Sequence, residues 1–140
     1  MGNKANSLPA SKNSIHMKRI WVPVFMMLGI SILSGSSGVQ TGPISFVGID
    51  KLGHFIVFGL LGIAWIRTFN RQGTGFGLAV VLTTLFGLLD EWHQFYNPER
   101  YFEWADLAAD FIGAVVFSTS YCRIPALRKV LEREIWVRRA

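Results

Sequence analysis

Apolar residues along this chain fall in blocks, without the alternating or amphipathic spacing of a soluble domain. The blocks lie at residues 20–33, 50–69, 75–95 and 104–121. Each is longer than a strand and lacks strand alternation, so each predicts a helix. A membrane-crossing helix needs roughly 20 mostly apolar residues, and in hydrocarbon it satisfies its backbone polar groups internally. The expected fold is all-α: a four-helix transmembrane bundle, with helices at about 20–36, 50–69, 75–95 and 104–121.

Residues 1–18 are polar and read as a flexible cytoplasmic tail, 19–122 as the transmembrane domain, and 123–140 as a basic cytoplasmic tail. In that last stretch Leu127, Val130, Leu131 and Ile135 recur at helical spacing, with Arg128, Lys129 and Arg133 between them. The pattern predicts a basic amphipathic helix on the membrane surface, anchored by Trp136; the alternative is a solvated basic tail. The first block ends in Ser34-Gly35-Ser36-Ser37-Gly38, which also suits a cleaved signal peptide. A retained helix is preferred, because cleavage would leave an odd three-span remnant.

Composition supports the membrane reading. Of 140 residues 51% are hydrophobic and only 16% charged, too few charges for an ordinary soluble domain. The single cysteine, Cys122, forms no disulfide framework or zinc-ligand set. A net charge of +5 invites a nucleic-acid reading, but the placement of the charges gives another explanation. Of the 14 Lys and Arg residues, all but Lys51 and Arg100 fall on one side of the expected helices. Cytoplasmic loops are enriched in Lys and Arg, so both termini are expected in the cytoplasm and no nucleic-acid partner is expected. The five tryptophans lie near expected interfaces and read as belt residues.

Of the nine acids, all but Glu132 and Glu134 gather on the opposite, outward side. Asp50, Lys51 and His54 open the second helix, Asp90, Glu91, His93 and Gln94 close the third, and Asp106 and Asp110 open the fourth. Asp50 and His54, Asp90 and Gln94, and Asp106 and Asp110 are each i, i+4 pairs on a shared face. At about 1.5 Å per residue, His54, Asp90 and Asp110 lie roughly 6–9 Å inside their helix ends. Charges at that depth need partners or water, and small residues such as Gly59, Gly62, Gly87 and Gly113 would let the helices approach. Several of these groups also have a purely structural reading: Asp50 and Asp106 as helix-dipole partners, Lys51 as a snorkelling side chain, and His93 as an interfacial residue.

The stretches Asp50-Lys51-Leu52-Gly53-His54, Asp90-Glu91-Trp92-His93-Gln94, Pro98-Glu99-Arg100 and Asp106-Leu107-Ala108-Ala109-Asp110-Phe111-Ile112-Gly113 resemble, in this order, the VanZ-like family of bacterial membrane proteins. Glu99 stands where the family usually has Gly. The resemblance implies a multi-pass protein of the bacterial inner membrane, in a family linked to resistance to the glycopeptide teicoplanin. It does not supply a reaction.

The expected function is an envelope protein whose outward cluster binds or modifies an outer-leaflet lipid or a lipid-linked cell-wall component. His54, Glu91 and Asp110 are the candidate catalytic residues, since buried carboxylates and His are the groups tuned for proton transfer. Lys51 and Arg100 are the candidate anion-binding residues, and Asp50, Asp90, His93, Gln94 and Asp106 support them. No Ser or Cys nucleophile motif is present, and whether the chain is an enzyme stays open. No cofactor is assigned, and no metal: His54, Glu91, His93, Asp106 and Asp110 could supply ligands, but their spacing matches no known site. One alternative is a non-catalytic binding or shielding protein with the cluster as a structural ion network; another is a small proton-coupled transporter subunit. Assembly into a homo-oligomer is compatible with either.

Overall fold

The structure, a computed structural model, describes residues 19–35, 48–69, 73–96 and 101–133. These residues contain five helices and no strand: α1 (Trp21–Gly35), α2 (Ile49–Thr68), α3 (Thr74–Phe95), α4 (Trp104–Arg123) and α5 (Pro125–Arg133). The first four occupy the four apolar blocks. Ile135 of the expected surface helix and its anchor Trp136 lie outside the described residues, as do Arg138 and Arg139.

The helices run alternately up and down. Ser34 at the end of α1 bonds Asp90 near the end of α3, and Lys51 at the start of α2 bonds Asp106 at the start of α4. These four points share one end of the molecule. At the other end the Thr68 hydroxyl donates to the Arg19 carbonyl at 3.3 Å.

α2 and α4 form the closest helix pair, because glycine lines their seam. A Cβ on Gly62 would stand 3.2 Å from the Ala114 backbone, and one on Gly113 would collide with the Phe55 carbonyl. Small residues let helix backbones touch in this way where lipid supplies no hydrophobic drive between helices. Phe58, Leu61, Ile66, Ala79, Phe86, Ala114 and Tyr121 fill the apolar centre.

Inside and outside are inverted relative to a soluble protein. Phe25, Ile32 and Leu89 are 66%, 72% and 64% exposed, whereas Asp110 and Glu91 are 0% and 1% exposed. Water would penalise both halves of that arrangement, and a hydrocarbon surround favours it. α2 and α3 are each long and apolar enough to cross a membrane. Their 20 and 22 residues reach about 30 Å and 33 Å at the helical rise. α4 qualifies together with α5, across a 95° bend. α1 is apolar but has 15 residues, about 22 Å.

The bend falls at Ile124, where Pro125 takes the first position of α5 and suits a helix start. The Tyr121 hydroxyl donates to Glu132 Oε1 at 2.9 Å, and Arg128 Nη1 to the Cys122 carbonyl at 3.3 Å. α5 is thereby tied across the foot of α4. One sequence expectation is corrected here. Trp65 is not a belt residue: it is 8% exposed and stacks on Phe69 with ring centroids 5.4 Å apart. It faces inward because it lies on the same helical face as Phe58 and Leu61, where α2 meets its neighbours.

Candidate functional site

Ionisable residues at the ends of α2, α3 and α4 meet at one end of the bundle. The start of α2 presents Asp50, Lys51 and His54 within little more than one turn. Lys51 Nζ donates to Glu103 Oε2 at 2.7 Å and to Asp106 Oδ1 at 3.0 Å. The ammonium therefore joins the starts of α2 and α4. Its two partners differ: the Glu103 side chain is 52% exposed, and that of Asp106 only 5%. The Asp106 contact is consequently the less screened of the two.

One turn deeper, His54 Nδ1 lies 2.9 Å from Asp110 Oδ1, with Asp110 fully buried and the imidazole 11% exposed. With Asp110 ionised the carboxylate only accepts, so Nδ1 carries a proton, and in the neutral imidazole Nε2 is left as an acceptor. The His54 ring stacks on Phe58 with centroids 5.7 Å apart, and Phe58 stacks on Phe86 at 5.8 Å. These rings form an apolar floor beneath the polar end. Asp110 reaches this depth beside α3 because Gly87 leaves room: a Cβ there would collide with Asp110 Oδ2.

Adjacent residues on α3 serve different neighbours. Asp90 turns toward α1, accepting from Ser34 Oγ at 2.6 Å and from Gln94 Nε2 at 2.8 Å. Glu91 turns toward α4, where its Oε2 accepts from the backbone N–H of Glu103 at 3.0 Å. That bond caps the chain just before α4 begins at Trp104. Two oxygens, Glu91 Oε1 and Asp110 Oδ2, are buried and accept from no donor among the described residues.

The fold thus brings together Lys51, His54, Glu91, Asp106 and Asp110, with Asp50 exposed at the rim and Asp90 and Gln94 on the α1 side. His93 stands apart. It is exposed, and its imidazole lies against Gly35 at the end of α1, where a Cβ would be 2.9 Å from His93 Cε1. Arg100 lies outside the described residues. Sequence reasoning passed over Glu103, which reads as an ordinary loop acid yet contributes a side-chain ion pair and a backbone donor. It also missed Ser34 as the partner of Asp90, although two residues facing each other at matched helix ends was the available signal.

Asp50, His54 and Asp106 each offer a metal-ligating atom, and these atoms lie within 4.8 Å of one another. The three come from two helices, so no spacing in the sequence announces the group. Asp50 and His54 are one turn apart on α2, and the α2–α4 seam brings Asp106 alongside.

An apolar exterior, buried acids at one end and helices long and apolar enough to span a bilayer mark a small membrane protein. A family profile described as VanZ/LLP1 matches residues 4–125. The chain belongs to the VanZ-like family, as the four motif stretches suggest. No curated protein matches it, and no solved structure does.

Proposed function

We propose that this chain is a four-span protein of the bacterial inner membrane whose outward polar end binds the headgroup of an outer-leaflet lipid or a lipid-linked cell-wall component. Both termini are then cytoplasmic. The orientation is supported by Arg19, Arg67 and Arg123, which flank the helix ends opposite the network. α5 lies on the cytoplasmic surface, its apolar Leu127, Val130 and Leu131 toward the membrane and Arg128 and Lys129 toward headgroups. Lys51 and Arg100 contact the anionic part of the ligand. His54, held by Asp110, and Glu91 supply groups able to exchange protons with it.

The observation that carries this reading is a pair of buried oxygens, Glu91 Oε1 and Asp110 Oδ2, that accept from no donor among the described residues. Each buried acceptor left unmatched costs about 1–3 kcal/mol, which a ligand donor would offset. Trp65 Nε1, Arg67 Nε and Ser118 Oγ are also unpartnered among the described residues, but only the two carboxylate oxygens lie at the polar end. The test is lipid and cell-wall-precursor profiling in a deletion strain complemented with the wild type, Glu91→Gln or His54→Gln. The wild type restores the profile and the two variants do not. Equal restoration by all three would remove the ligand site.

A second reading, a structural ion network, draws on the Lys51–Glu103–Asp106 and Ser34–Asp90–Gln94 chains, whose members are bonded to one another. Under that reading Glu91→Gln is harmless, because the amide oxygen still accepts from the Glu103 N–H. A proton-coupled transporter is disfavoured by the floor of Phe58 and Phe86. Below it, Thr83 and Thr84 donate to carbonyls of their own helix.

A further inference from the structure

The polar end carries an excess of acid. Among the described residues Asp50, Asp90, Glu91, Glu103, Asp106 and Asp110 gather there with Lys51 and His54. Within that set, Asp50, His54 and Asp106 bring ligand atoms from α2 and α4 within 4.8 Å of one another. A site of three ligands at about 2.1 Å from a tetrahedral ion needs them roughly 3.4 Å apart. Closing the difference asks for a shift of up to about 1.4 Å, and Asp50, exposed in the first turn of α2, can change rotamer toward the other two.

The histidine is already arranged as metal-bound imidazoles are. Its Nδ1 is occupied by the fully buried Asp110 at 2.9 Å, leaving Nε2 as the nitrogen available to an ion. A carboxylate on the far nitrogen fixes the ring and raises its basicity. Lys51 takes Oδ1 of Asp106, which leaves that carboxylate's other oxygen. Glu91 Oε1 and Asp110 Oδ2 at the same end, which accept from no donor among the described residues, add negative potential that a cation would offset.

We propose that Asp50, His54 and Asp106 form a site for a divalent transition-metal ion, with Asp110 as the positioning residue for His54. One imidazole and two carboxylates suit Zn²⁺ or Mn²⁺. Three protein ligands leave a coordination position free, and a phosphate or carboxylate of a bound headgroup is the chemistry to fill it. With the ion in place His54 is a ligand through Nε2 and keeps its Nδ1 proton toward Asp110, so it no longer exchanges protons with the headgroup and Glu91 remains as the acid–base group.

The ion site shares an end of the bundle with the headgroup site but needs no lipid. It is therefore tested in delipidated detergent, where its failure leaves the lipid-profiling result untouched. The full chain is stripped with chelator and titrated with Zn²⁺, and separately with Mn²⁺, by calorimetry. X-ray absorption then reads the ligands of the Zn²⁺-loaded protein. The expected result is one ion per chain in a nitrogen/oxygen shell with one imidazole. Affinity falls at least 10-fold in Asp106→Asn and in His54→Gln and is unchanged in His93→Gln. Asp110→Asn weakens binding about 10- to 100-fold while keeping the imidazole signal. Substoichiometric uptake, a shell without imidazole, or a loss in His93→Gln equal to that in His54→Gln would overturn the proposal. Stoichiometry and shell are read on the wild type, so the test stands even where a variant does not fold.

Discussion

Replacing Gly113 by Ala measures how closely α2 and α4 approach. The new methyl would fall on the Phe55 carbonyl oxygen, 3.0 Å from its carbon and 3.1 Å from its Cα. Carbon–carbon contacts settle near 3.5–4.0 Å, so the helices would have to separate by about half an ångström or more. No rotamer relieves the contact, because every opposing atom is helix backbone. Overpacking costs about 1–3 kcal/mol, and this geometry puts Gly113→Ala at the upper end. Better helix propensity returns about 1 kcal/mol, for a net loss of about 2 kcal/mol. Gly77→Ala on α3 is the control: nothing lies within 4 Å of its Cβ position, so propensity alone acts and the variant gains up to about 1 kcal/mol. Reversible unfolding by SDS in mixed micelles, followed by far-ultraviolet circular dichroism, compares the two. A Gly113→Ala variant as stable as Gly77→Ala would refute the close seam.

Other substitutions probe the network and its attachments. Asp106→Asn should destabilise more than Glu103→Gln in the same assay, since Lys51 contacts a 5% exposed carboxylate in one case and a 52% exposed one in the other; the exposed pair is worth about 0.2–1 kcal/mol. Ser34→Ala removes the donor 2.6 Å from Asp90 Oδ1 and should cost about 0.6–2 kcal/mol in that assay, whereas Ser31→Ala serves as its neutral comparison. Tyr121→Phe deletes the bond to Glu132 and should speed amide exchange in residues 125–133 while leaving α2 protected. Gly87→Ala pushes on Asp110 Oδ2 and should shift the His54 imidazole resonances as Asp110→Asn does, with helix content unchanged.

Much of the helical order is legible in the hydropathy blocks, because lipid demands long apolar helices and the chain writes them as uninterrupted runs. The gathering of charge at one end is legible for a related reason: an ionisable residue inside a span is costly, so it lies near a terminus of its block. Partner choice is not legible, since it depends on how each helix is rotated. Asp90 and Glu91 are neighbours in sequence, but about 100° of helical turn sends one to Ser34 and the other to Glu103. Trp65 shows the same limit, lying near a helix end as a belt residue would while its rotation buries it. Glu103 escaped notice because half its contribution is a backbone N–H, which no residue type advertises. His54 and Asp106 were legible as possible ligands, but their grouping with Asp50 was not, because it is assembled across the α2–α4 seam, where Gly62 and Gly113 let the helices approach.

The central claim is that the buried acids at the polar end of the bundle form a ligand site, beyond holding the helices together. Glu91→Gln tests it most directly, because the amide keeps the oxygen that accepts from Glu103 N–H and removes only the charge. Native mass spectrometry of the detergent-extracted chain would identify what each form retains. The wild type should carry a defined phosphate-bearing lipid or lipid-linked precursor, and Glu91→Gln should lose it at unchanged helix content. The same bound species at the same occupancy in both would contradict the account.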